Sequence, residues 1–597
     1  MILLEKSMRY TWLLLGLLTT FFTASAVEQT HKWQWNYYFT HKMPAGLFEG
    51  KTLSGTLTLP DKTVLKAQKI DFPESAIIDL AKIVKPTPDK LERIIITADF
   101  ECEKSERFVL GIGVDWMMKL YLNDQLLFDS TVPGNGEFPI TYTNHLVEIT
   151  PRVGRNQIVY EVFGGIESKV FAAKVLDIPP LEVKYQPWTI FPDSFDNSIS
   201  IVFSTTRQSP AAVDYRLKGS EKWSRAYDNQ AGIMRRDETV HCIRLDDLQA
   251  DSVYEYRVVL VDDAKNFLEI PQAQVYTFKT APAIAANKDF SFAVTSDLQM
   301  PDEERKIFLK KMFSSPEFAN SSFFAFLGDV FWTSDFDKVI IENFVNFFRD
   351  ATDNRMSLVM VRGNHEIYGR DSNRYFKYFK SPRTVEQSYF MFTYGEVCFI
   401  VLDFLDDTPR RPAPSTRSQF DFEPHFKAQA KWLRKALESP EFKQAKYRVV
   451  LAHAAPLGNG RDFLPGNVRS LIEPLFTGKD PAYKIHLYLG GHTHRVFRSI
   501  PRQNVARSAL NVNYDPKIKH PSIGVNYPFP VVVMGGRNWR IDKALQLSVL
   551  QVKVTSSCLE VLHYDRNGKL FDHIKIAPDG KVTEVYTDEE RFKKYAY

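Results

Sequence analysis

The sequence has few cysteines, no excess of charge of one sign and no long apolar run beyond its N-terminus. Its four cysteines among 597 residues are too scattered for a disulfide scaffold. Lys and Arg number 76 against 72 Asp and Glu, and a net charge of +4 favours neither nucleic acid nor anionic lipid as a specific partner. No later stretch reaches the ~20 apolar residues of a membrane-spanning helix. These features exclude a polytopic membrane protein and disfavour a nucleic-acid-binding protein.

Enough apolar sequence is present to build several cores. Hydrophobic residues make up 44% of the chain and charged residues 25%, as in globular proteins. The length is several times the ~150 residues of a common domain, which predicts a multidomain chain. We expect most of the cysteines to be buried thiols. A bridge between Cys398 and Cys558, which both lie in strand-like runs, is the alternative.

The N-terminus has the features of a secretory signal. An apolar run of eleven residues, Trp12 to Phe22, follows Lys6 and Arg9 and precedes Ala24-Ser25-Ala26, a small-residue cleavage pattern. We therefore expect residues 1–26 to be a signal peptide and the mature chain to be exported, to a periplasm or to the extracellular space. An uncleaved anchor is the alternative, but a run this short does not cross a layer that needs ~20 residues.

Two β-rich regions are expected next. Residues 27–178 alternate apolar and polar residues in short runs broken by Gly, Asn and Pro, which predicts an all-β sandwich. Residues 114–125 and 154–160 resemble strands of a galactose-binding-like jelly roll, which implies either carbohydrate binding or a spacer role. Residues 179–282 resemble a fibronectin type III-like sandwich, with Tyr254 in the tyrosine-corner position.

Residues 288–597 have an α/β pattern. A helix is predicted from Asp302 to Phe313, because Pro301 and three acidic residues form a favourable helix N-terminus. Five apolar runs of strand length end in polar residues, namely Asp297-Leu298-Gln299, Gly328-Asp329, Gly363-Asn364-His365-Glu366, His453, and Gly490-Gly491-His492-Thr493-His494. Because the carboxyl ends of strands in α/β sheets form ligand sites, we expect these side chains to meet at one rim.

The polar groups at these strand ends suit metal ions. They are seven oxygen and nitrogen donors of the kind that Mn, Fe, Zn and Mg accept: Asp297, Gln299, Asp329, Asn364, His453, His492 and His494. One catalytic metal uses about three or four protein ligands. Seven donors therefore favour two divalent ions that share a carboxylate, most naturally Asp329.

The motif order resembles that of the calcineurin-like metallophosphoesterases over about residues 288–575. The resemblance implies a metal-dependent phosphoric ester hydrolase with a β-sandwich flanked by helices. It assigns the first metal ion to Asp297, Gln299 and His494, the second to Asn364, His453 and His492, and the bridge to Asp329. Each motif alone is weak, and the specificity comes from five in order, each after an apolar run.

Two residues depart from the family patterns. Gln299 stands where most members have His, and a neutral amide is a weaker ligand for the first metal. The sandwich-plus-phosphoesterase arrangement resembles purple acid phosphatases, including their N-terminal β-sandwich. Their GDxxY motif reads Gly328-Asp329-Val330-Phe331-Trp332 here. Because Trp cannot ligate a metal, we expect a colourless centre with divalent ions.

The expected reaction is hydrolysis of a phosphate mono- or diester. Two divalent ions, offset by Asp297, Asp329 and a bridging hydroxide, leave about one positive charge towards an anionic substrate. That hydroxide would attack phosphorus in line, while His365 would protonate the leaving oxygen. Asp329 and His365 are thus the predicted catalytic residues, and Glu366 is expected to support the ligands from behind.

Other residues near the motifs receive structural interpretations. His486 is expected to be a core residue, and Asp335 and Asp403 to be loop or supporting groups. The four residues that could shape a substrate pocket or simply pack are Phe331, Trp332, Tyr368 and Arg370.

A second hypothesis comes from another functional class. In it the chain is a surface protein whose jelly roll binds glycan and whose phosphoesterase fold is catalytically degenerate. The complete ligand set argues against this hypothesis, whereas Gln299 is the residue through which activity could have been lost.

Overall fold

The computed structural model describes most of the chain after its N-terminus. The described residues are 33–43, 51–85, 87, 92–134, 136–164, 170–191, 197–284, 286–330, 336–367, 371–380, 387–404, 422–455, 483–494, 496–499, 501, 506–508, 527–536 and 547–590. The predicted signal peptide and the residues Phe331, Trp332, Asp335, Tyr368 and Arg370 lie outside these ranges. None of the helices within them is long and apolar enough to cross a membrane.

The chain divides into two compact units. The first comprises residues up to Leu181 together with Val261–Ile270, and the second comprises Glu182–Leu260 and Pro271–Tyr597.

The first unit is an antiparallel β-sandwich. Its strands are β1 (Gln34–Tyr38), β2 (Thr56–Thr58), β3 (Val64–Lys66), β4 (Gln68–Lys69), β5 (Ile77–Asp79), β6 (Glu92–Cys102), β7 (Phe108–Val114), β8 (Met117–Leu122), β9 (Gln125–Asp129), β10 (His145–Ile149), β11 (Gly154–Gly164) and β12 (Val170–Leu176). One sheet has the order β4-β1-β6-β11-β8-β9 and the other the order β10-β7-β12-β5. Inward side chains of both sheets form one core, as the alternating sequence pattern predicts.

The β-rich region that follows lies largely in the second unit. Its strands are β13 (Val183–Ile190), β14 (Ile199–Thr205), β15 (Ala211–Leu217), β16 (Ser224–Tyr227), β17 (Asn229–Gln230), β18 (Ile233–Met234), β19 (Val240–Leu245), β20 (Val253–Asp262), β21 (Leu268–Pro271) and β22 (Tyr276–Lys279). The Tyr254 hydroxyl accepts a hydrogen bond of 2.9 Å from the Gln249 N–H, the contact that a corner tyrosine makes.

The rest of the second unit alternates strands and helices. Its strands are β23 (Phe290–Thr295), β24 (Phe323–Phe326), β25 (Ser357–Met360), β26 (Phe390–Tyr394), β27 (Val397–Leu402), β28 (Tyr447–Ala452), β29 (Leu487–Gly490), β30 (Phe497–Ser499), β31 (Ala506–Ser508), β32 (Val531–Val533), β33 (Ser548–Val554), β34 (Leu559–Asp565), β35 (Leu570–Ile576) and β36 (Val582–Thr587). Its helices are α1 (Asp302–Ser314), α2 (Pro316–Ala319), a π-helical segment (Phe336–Val345), α3 (Asn346–Ala351), α4 (Tyr375–Tyr378), α5 (Phe422–Leu437) and α6 (Pro440–Gln444). The predicted helix after Pro301 is therefore confirmed as α1.

Two sheets form the centre of the second unit. One has the order β19-β14-β13-β25-β24-β23-β33-β34-β35-β36 and the other the order β26-β27-β28-β29-β32-β30-β31. Their facing side chains share one core. Helices α1 to α4 pack on the outer face of the first sheet and α5 and α6 on that of the second. This arrangement confirms the predicted β-sandwich flanked by helices.

The first of these sheets crosses the expected border between the second β-rich region and the α/β region. Strand β13 pairs in parallel with β25, with Ile190 opposite Leu358. The Thr189 and Ser357 hydroxyls are 2.8 Å apart and buried. The sequence patterns of the two regions differ, but β13 pairs with the edge of β25 that β24 leaves open. This pairing supplies hydrogen-bond partners to backbone groups that would otherwise be buried without them. The regions thus share one sheet.

The cysteines are all thiols. Cys398 is buried and Cys558 is partly buried, and both are free, as are the other two. The alternative of a bridge between them is not realised in the structure.

Candidate metal centre

The strands that precede the predicted ligands are parallel neighbours within each sheet. Strands β23, β24 and β25 are parallel neighbours, and so are β28 and β29 in the other sheet. The motifs therefore leave each sheet at one edge. Because the two sheets pack on one shared core, these edges meet, and Asp297 after β23 is hydrogen-bonded to His492 after β29.

The seven predicted ligands include two compact groups with a common member. The first group is Asp297, Asp329 and His494, and the second group is Asp329, His453 and His492; within each group the ligand atoms lie within 4.8 Å of one another. A divalent cation of the expected class lies about 2.1 Å from its nitrogen and oxygen ligands. Atoms this close can share one ion after small side-chain rotations. The donors are of the kind that metal ions of borderline hardness accept, and Asp329 belongs to both groups.

Backbone contacts orient the ligands of the second group. The Nδ1–H of His453 donates to the Leu327 carbonyl at 2.7 Å. Its Nε2 lies 3.1 Å from the Asn364 Oδ1 and 3.1 Å from the His492 Nδ1. A ligating histidine is usually fixed in this way, by a hydrogen bond from its other ring nitrogen.

The first group is oriented by a backbone amide. The N–H of His492 donates to both carboxylate oxygens of Asp297, at 3.1 and 2.9 Å. The Nε2 of His494 lies 3.5 Å from the Asp297 Oδ1. The Gln299 amide donates from Nε2 to the Asp329 Oδ2 at 3.2 Å. Rotation of this amide by a half turn would present its carbonyl oxygen to a cation instead.

Four of the seven predicted ligands have left-handed backbone conformations. Their φ angles are 56° for Asp297, 59° for Asp329, 70° for His492 and 55° for His494. Such a conformation costs a non-glycine residue about 1–2 kcal/mol and is retained at functional sites. The sharp turns after the strands therefore carry strain at the residues that face the candidate ions.

Glycines allow the turns to pack against the ligands. A Cβ on Gly363 would lie 2.4 Å from the Asp329 Oδ1, and one on Gly491 would lie 2.4 Å from the Asp297 Oδ2. The sequence interpretation missed Gly536, where a Cβ would lie 2.4 Å from the Asp297 Cβ. A signal was present, because Gly535-Gly536 follows an apolar run as the other motif glycines do.

Glu366 ties two of the motif turns together. Its carboxylate is buried and accepts from the N–H groups of Asp329 at 2.9 Å, Val330 at 2.9 Å and Gly363 at 2.8 Å. The expected supporting position behind the ligands is confirmed by these contacts.

The site concentrates buried negative charge. Burial and then the charge of Asp329 raise the pKa of Glu366. Burial alone would raise the pKa of Asp329, but His453, followed by His365 and His492, holds it well below its usual range. Burial alone would lower the pKa of His453, but Asp329 above all raises it to about 10. Because buried carboxylates need compensating charge, this site favours a cation.

His365 lies at the open edge of the site. Its backbone N–H donates to the Asp329 Oδ1 at 2.9 Å, and its ring Nε2 lies 3.9 Å from the Asp329 Oδ2. The ring is 16% exposed, so it borders both the ligands and the solvent.

Two polar residues outside the ligand set are buried. The Nδ1 of His486 accepts from the Arg448 N–H at 3.1 Å, and its Nε2–H donates to the Pro578 carbonyl at 2.9 Å. The predicted core role of His486 is confirmed. Asp403 is fully buried and pairs with Arg362. The sequence indicated a supporting role for Asp403 and offered no sign of this pair.

Comparison with known proteins identifies the region around the site. Residues 290–496 match the sequence profile described as calcineurin-like phosphoesterase, and all the predicted ligands lie in this range. No curated protein sequence matches the chain.

Several solved structures are similar at low identity. A purple acid phosphatase, PPD1 from yellow lupin (Lupinus luteus) seeds, is 14% identical with a TM-score of 0.48, over 83% of this chain and 95% of that one. PhoD is 13% identical with a TM-score of 0.45, over 70% of this chain and 98% of that one. A dimetal phosphatase from Danio rerio is 12% identical with a TM-score of 0.33, over 48% and 98%.

Proposed function

We propose that this chain, whose residues 290–496 form the calcineurin-like phosphoesterase domain of a metal-dependent phosphoric ester hydrolase, is an exported enzyme that hydrolyses a phosphate mono- or diester with two divalent ions. The observation that carries the two-ion proposal is the pair of three-residue ligand groups that share Asp329. Asp297, Gln299 and His494 would hold one ion and Asn364, His453 and His492 the other. Mn, Fe, Zn and Mg all suit these donors.

The ions, when bound, would activate a water molecule and offset the negative charge of the phosphoryl group. The chain's own residues do the remaining work. Glu366 fixes the backbone on either side of the ligand site, and Leu327 fixes the ring of His453 through its carbonyl. Both contacts hold ligand atoms in place before substrate arrives, which lowers the cost of reorganisation during the reaction.

His365 is the group best placed to move a proton. It is partly exposed, lies beside Asp329 and is held through its own N–H. A protonated Nε2 could donate to the leaving oxygen as a general acid, a contribution typically of about 10²–10⁴-fold. We assign it that role.

Substitution of these two residues tests the proposal. Asp329→Asn and His365→Ala are assayed with p-nitrophenyl phosphate and bis-p-nitrophenyl phosphate, with metal content measured on the same samples. Asp329→Asn should lose both bound metal and turnover, whereas His365→Ala should keep the metal and lose turnover. His573→Ala serves as a control, because this partly buried histidine lies on β35. Unchanged turnover in both site variants contradicts the assignment.

Export has its own test. Cleavage after Ala26 would give a secreted chain that begins at Val27, and N-terminal sequencing of the protein from its native host checks this. An uncleaved N-terminus would contradict the proposal. Carbohydrate binding by the first unit stays a prediction, and glycan binding without phosphate release would favour the degenerate alternative.

A further inference from the structure

A buried polar cluster lies beside the metal centre and contains none of the predicted ligands. At its middle is Asp403, which is 0% exposed and follows strand β27. Its carboxylate accepts from the Arg362 guanidinium through both oxygens, with Nε to Oδ1 at 3.3 Å, and from the Ser388 hydroxyl. The Nε2 of His425 lies 2.8 Å from Oδ2. Burial alone would raise the pKa of Asp403, but Arg362 and then His425 hold it well below its usual range.

The backbone of Asp403 is held as firmly as its side chain. Its N–H donates to the Gln429 Oε1 at 2.7 Å, and its carbonyl accepts from the Gln429 Nε2 at 3.0 Å. Gln429 lies on α5, which packs on the outer face of the second sheet. Asp403 is therefore an anchor that belongs to the second sheet.

Arg362 belongs to the other sheet. It follows β25 and comes directly before Gly363 and Asn364. Its guanidinium carbon lies 5.8 Å from the ring centre of Tyr375 and 5.3 Å from that of Phe376. With Asp403 on one side and aromatic rings on the other, the side chain is 9% exposed. Its charge is paired with the buried Asp403 carboxylate.

The Arg362–Asp403 pair therefore connects the ends of the two sheets next to the ligands. The predicted ligands of the second ion depend on how the sheets are held together, because Asn364 comes from the first sheet while His453 and His492 come from the second. The hydrogen bond from the His453 ring to the Leu327 carbonyl is one contact between the sheets here, and the Arg362–Asp403 pair is another. The first group has a different connection, the hydrogen bonds from the His492 N–H to Asp297.

We propose that Arg362 and Asp403 are positioning residues that hold the Asn364–His365 turn against the second sheet and thereby set the geometry of the second metal ion. The inference rests on the proposed two-ion centre. Support of ligands from outside the coordination sphere is typically worth about 10–100-fold in metal affinity. Loss of the pair should lower the affinity for one ion by that factor and leave the affinity for the other nearly unchanged.

Mn²⁺ binding to the mature chain tests this inference without an activity assay. Titration followed by electron paramagnetic resonance distinguishes a coupled Mn²⁺ pair from a single ion. Asp403→Asn should bind one ion as the wild type does and the second about 10–100-fold more weakly, with the single-ion spectrum at intermediate concentrations. Arg362→Lys keeps the charge but not the two-pronged contact, and its affinity for the second ion should lie between those of the wild type and of Asp403→Asn.

Double variants show which ion is affected. Because Asn364 and Asp403 would act on the same ion, Asn364→Ala with Asp403→Asn should bind Mn²⁺ like Asn364→Ala alone. Gln299→Ala with Asp403→Asn should lower the affinity for both ions, since the two changes act on different ions. The reverse pattern would overturn the inference, as would wild-type affinities in Asp403→Asn.

Two further variants separate positioning from stability. Asp214 is another buried carboxylate paired with arginine, and it lies on β15 away from the motifs. Asp214→Asn should lower the melting temperature and bind both ions normally. If Asp403→Asn does not fold, Ser388→Ala removes one donor and should show a smaller loss of the same ion, and no loss overturns the inference. A wild type that binds fewer than two ions overturns the two-ion centre as well, whereas two ions with no variant effect overturn only the positioning role.

Discussion

Substitution of Glu366 by Gln tests whether this carboxylate organises the site. The Oε2 atom accepts from two N–H groups, those of Asp329 and Gly363, and Oε1 accepts from Val330. A glutamine can keep its carbonyl oxygen at the position with two donors. Its NH₂ group then faces the Val330 N–H, so one hydrogen bond to a charged acceptor is replaced by two opposed donors.

The expected cost follows from these contacts. A lost hydrogen bond to a charged group costs about 1.5–3 kcal/mol, with a buried donor left over. Removal of the Glu366 charge recovers part of this, because the raised pKa of Glu366 means that its charge is disfavoured by burial and by Asp329. We expect the free energy of unfolding of the metal-free protein to fall by about 2 kcal/mol. Metal affinity should fall about 10–100-fold, because Asp329 loses its backbone support.

Thermal unfolding of the metal-free variant and Mn²⁺ titration measure the two effects. Glu366→Asp keeps the charge but is one methylene shorter, and it should be intermediate in metal affinity. Glu303→Gln is the control, since the Glu303 side chain is 81% exposed. A Glu366→Gln protein with the melting temperature and the metal affinity of the wild type would refute the reasoning.

Three other changes have definite expected outcomes. Gly536→Ala places a Cβ 2.4 Å from the Asp297 Cβ and 3.0 Å from the His494 Nδ1. One Mn²⁺ ion should therefore bind at least about tenfold more weakly, while the affinity of the other ion is unchanged. Calorimetric titration measures both affinities. Gln299→His supplies a stronger nitrogen ligand and should raise the affinity of that same ion; equal or weaker binding would argue against Gln299 as a ligand. Burial above all lowers the pKa of His486 from 6.5 to about 4, so the unfolded chain binds a proton that the folded chain does not. Stability of the metal-free protein should therefore rise between pH 4 and 6.5, by about 1.4 kcal/mol per pH unit at most from this residue, and His486→Asn should have a flatter profile in denaturant titrations at several pH values.

The sequence by itself determined where the strands end and which residues stand there. Apolar periodicity is a local property, and the five runs in the α/β region correspond to β23, β24, β25, β28 and β29. Since parallel strands in one sheet end at the same edge, a rim of Asp, Asn, Gln and His side chains could be predicted without coordinates. The same local signals identified α1 after Pro301.

Only the tertiary structure decided how the two sheets meet. The place of Asp329 in both ligand groups, the three N–H groups that converge on Glu366 and the contact of Gly536 with Asp297 all join segments far apart in the chain. The Arg362–Asp403 pair and the pairing of β13 with β25 do the same. Such contacts depend on strand register and on the packing of one sheet against another, which apolar periodicity does not encode, because many registers bury the same side chains.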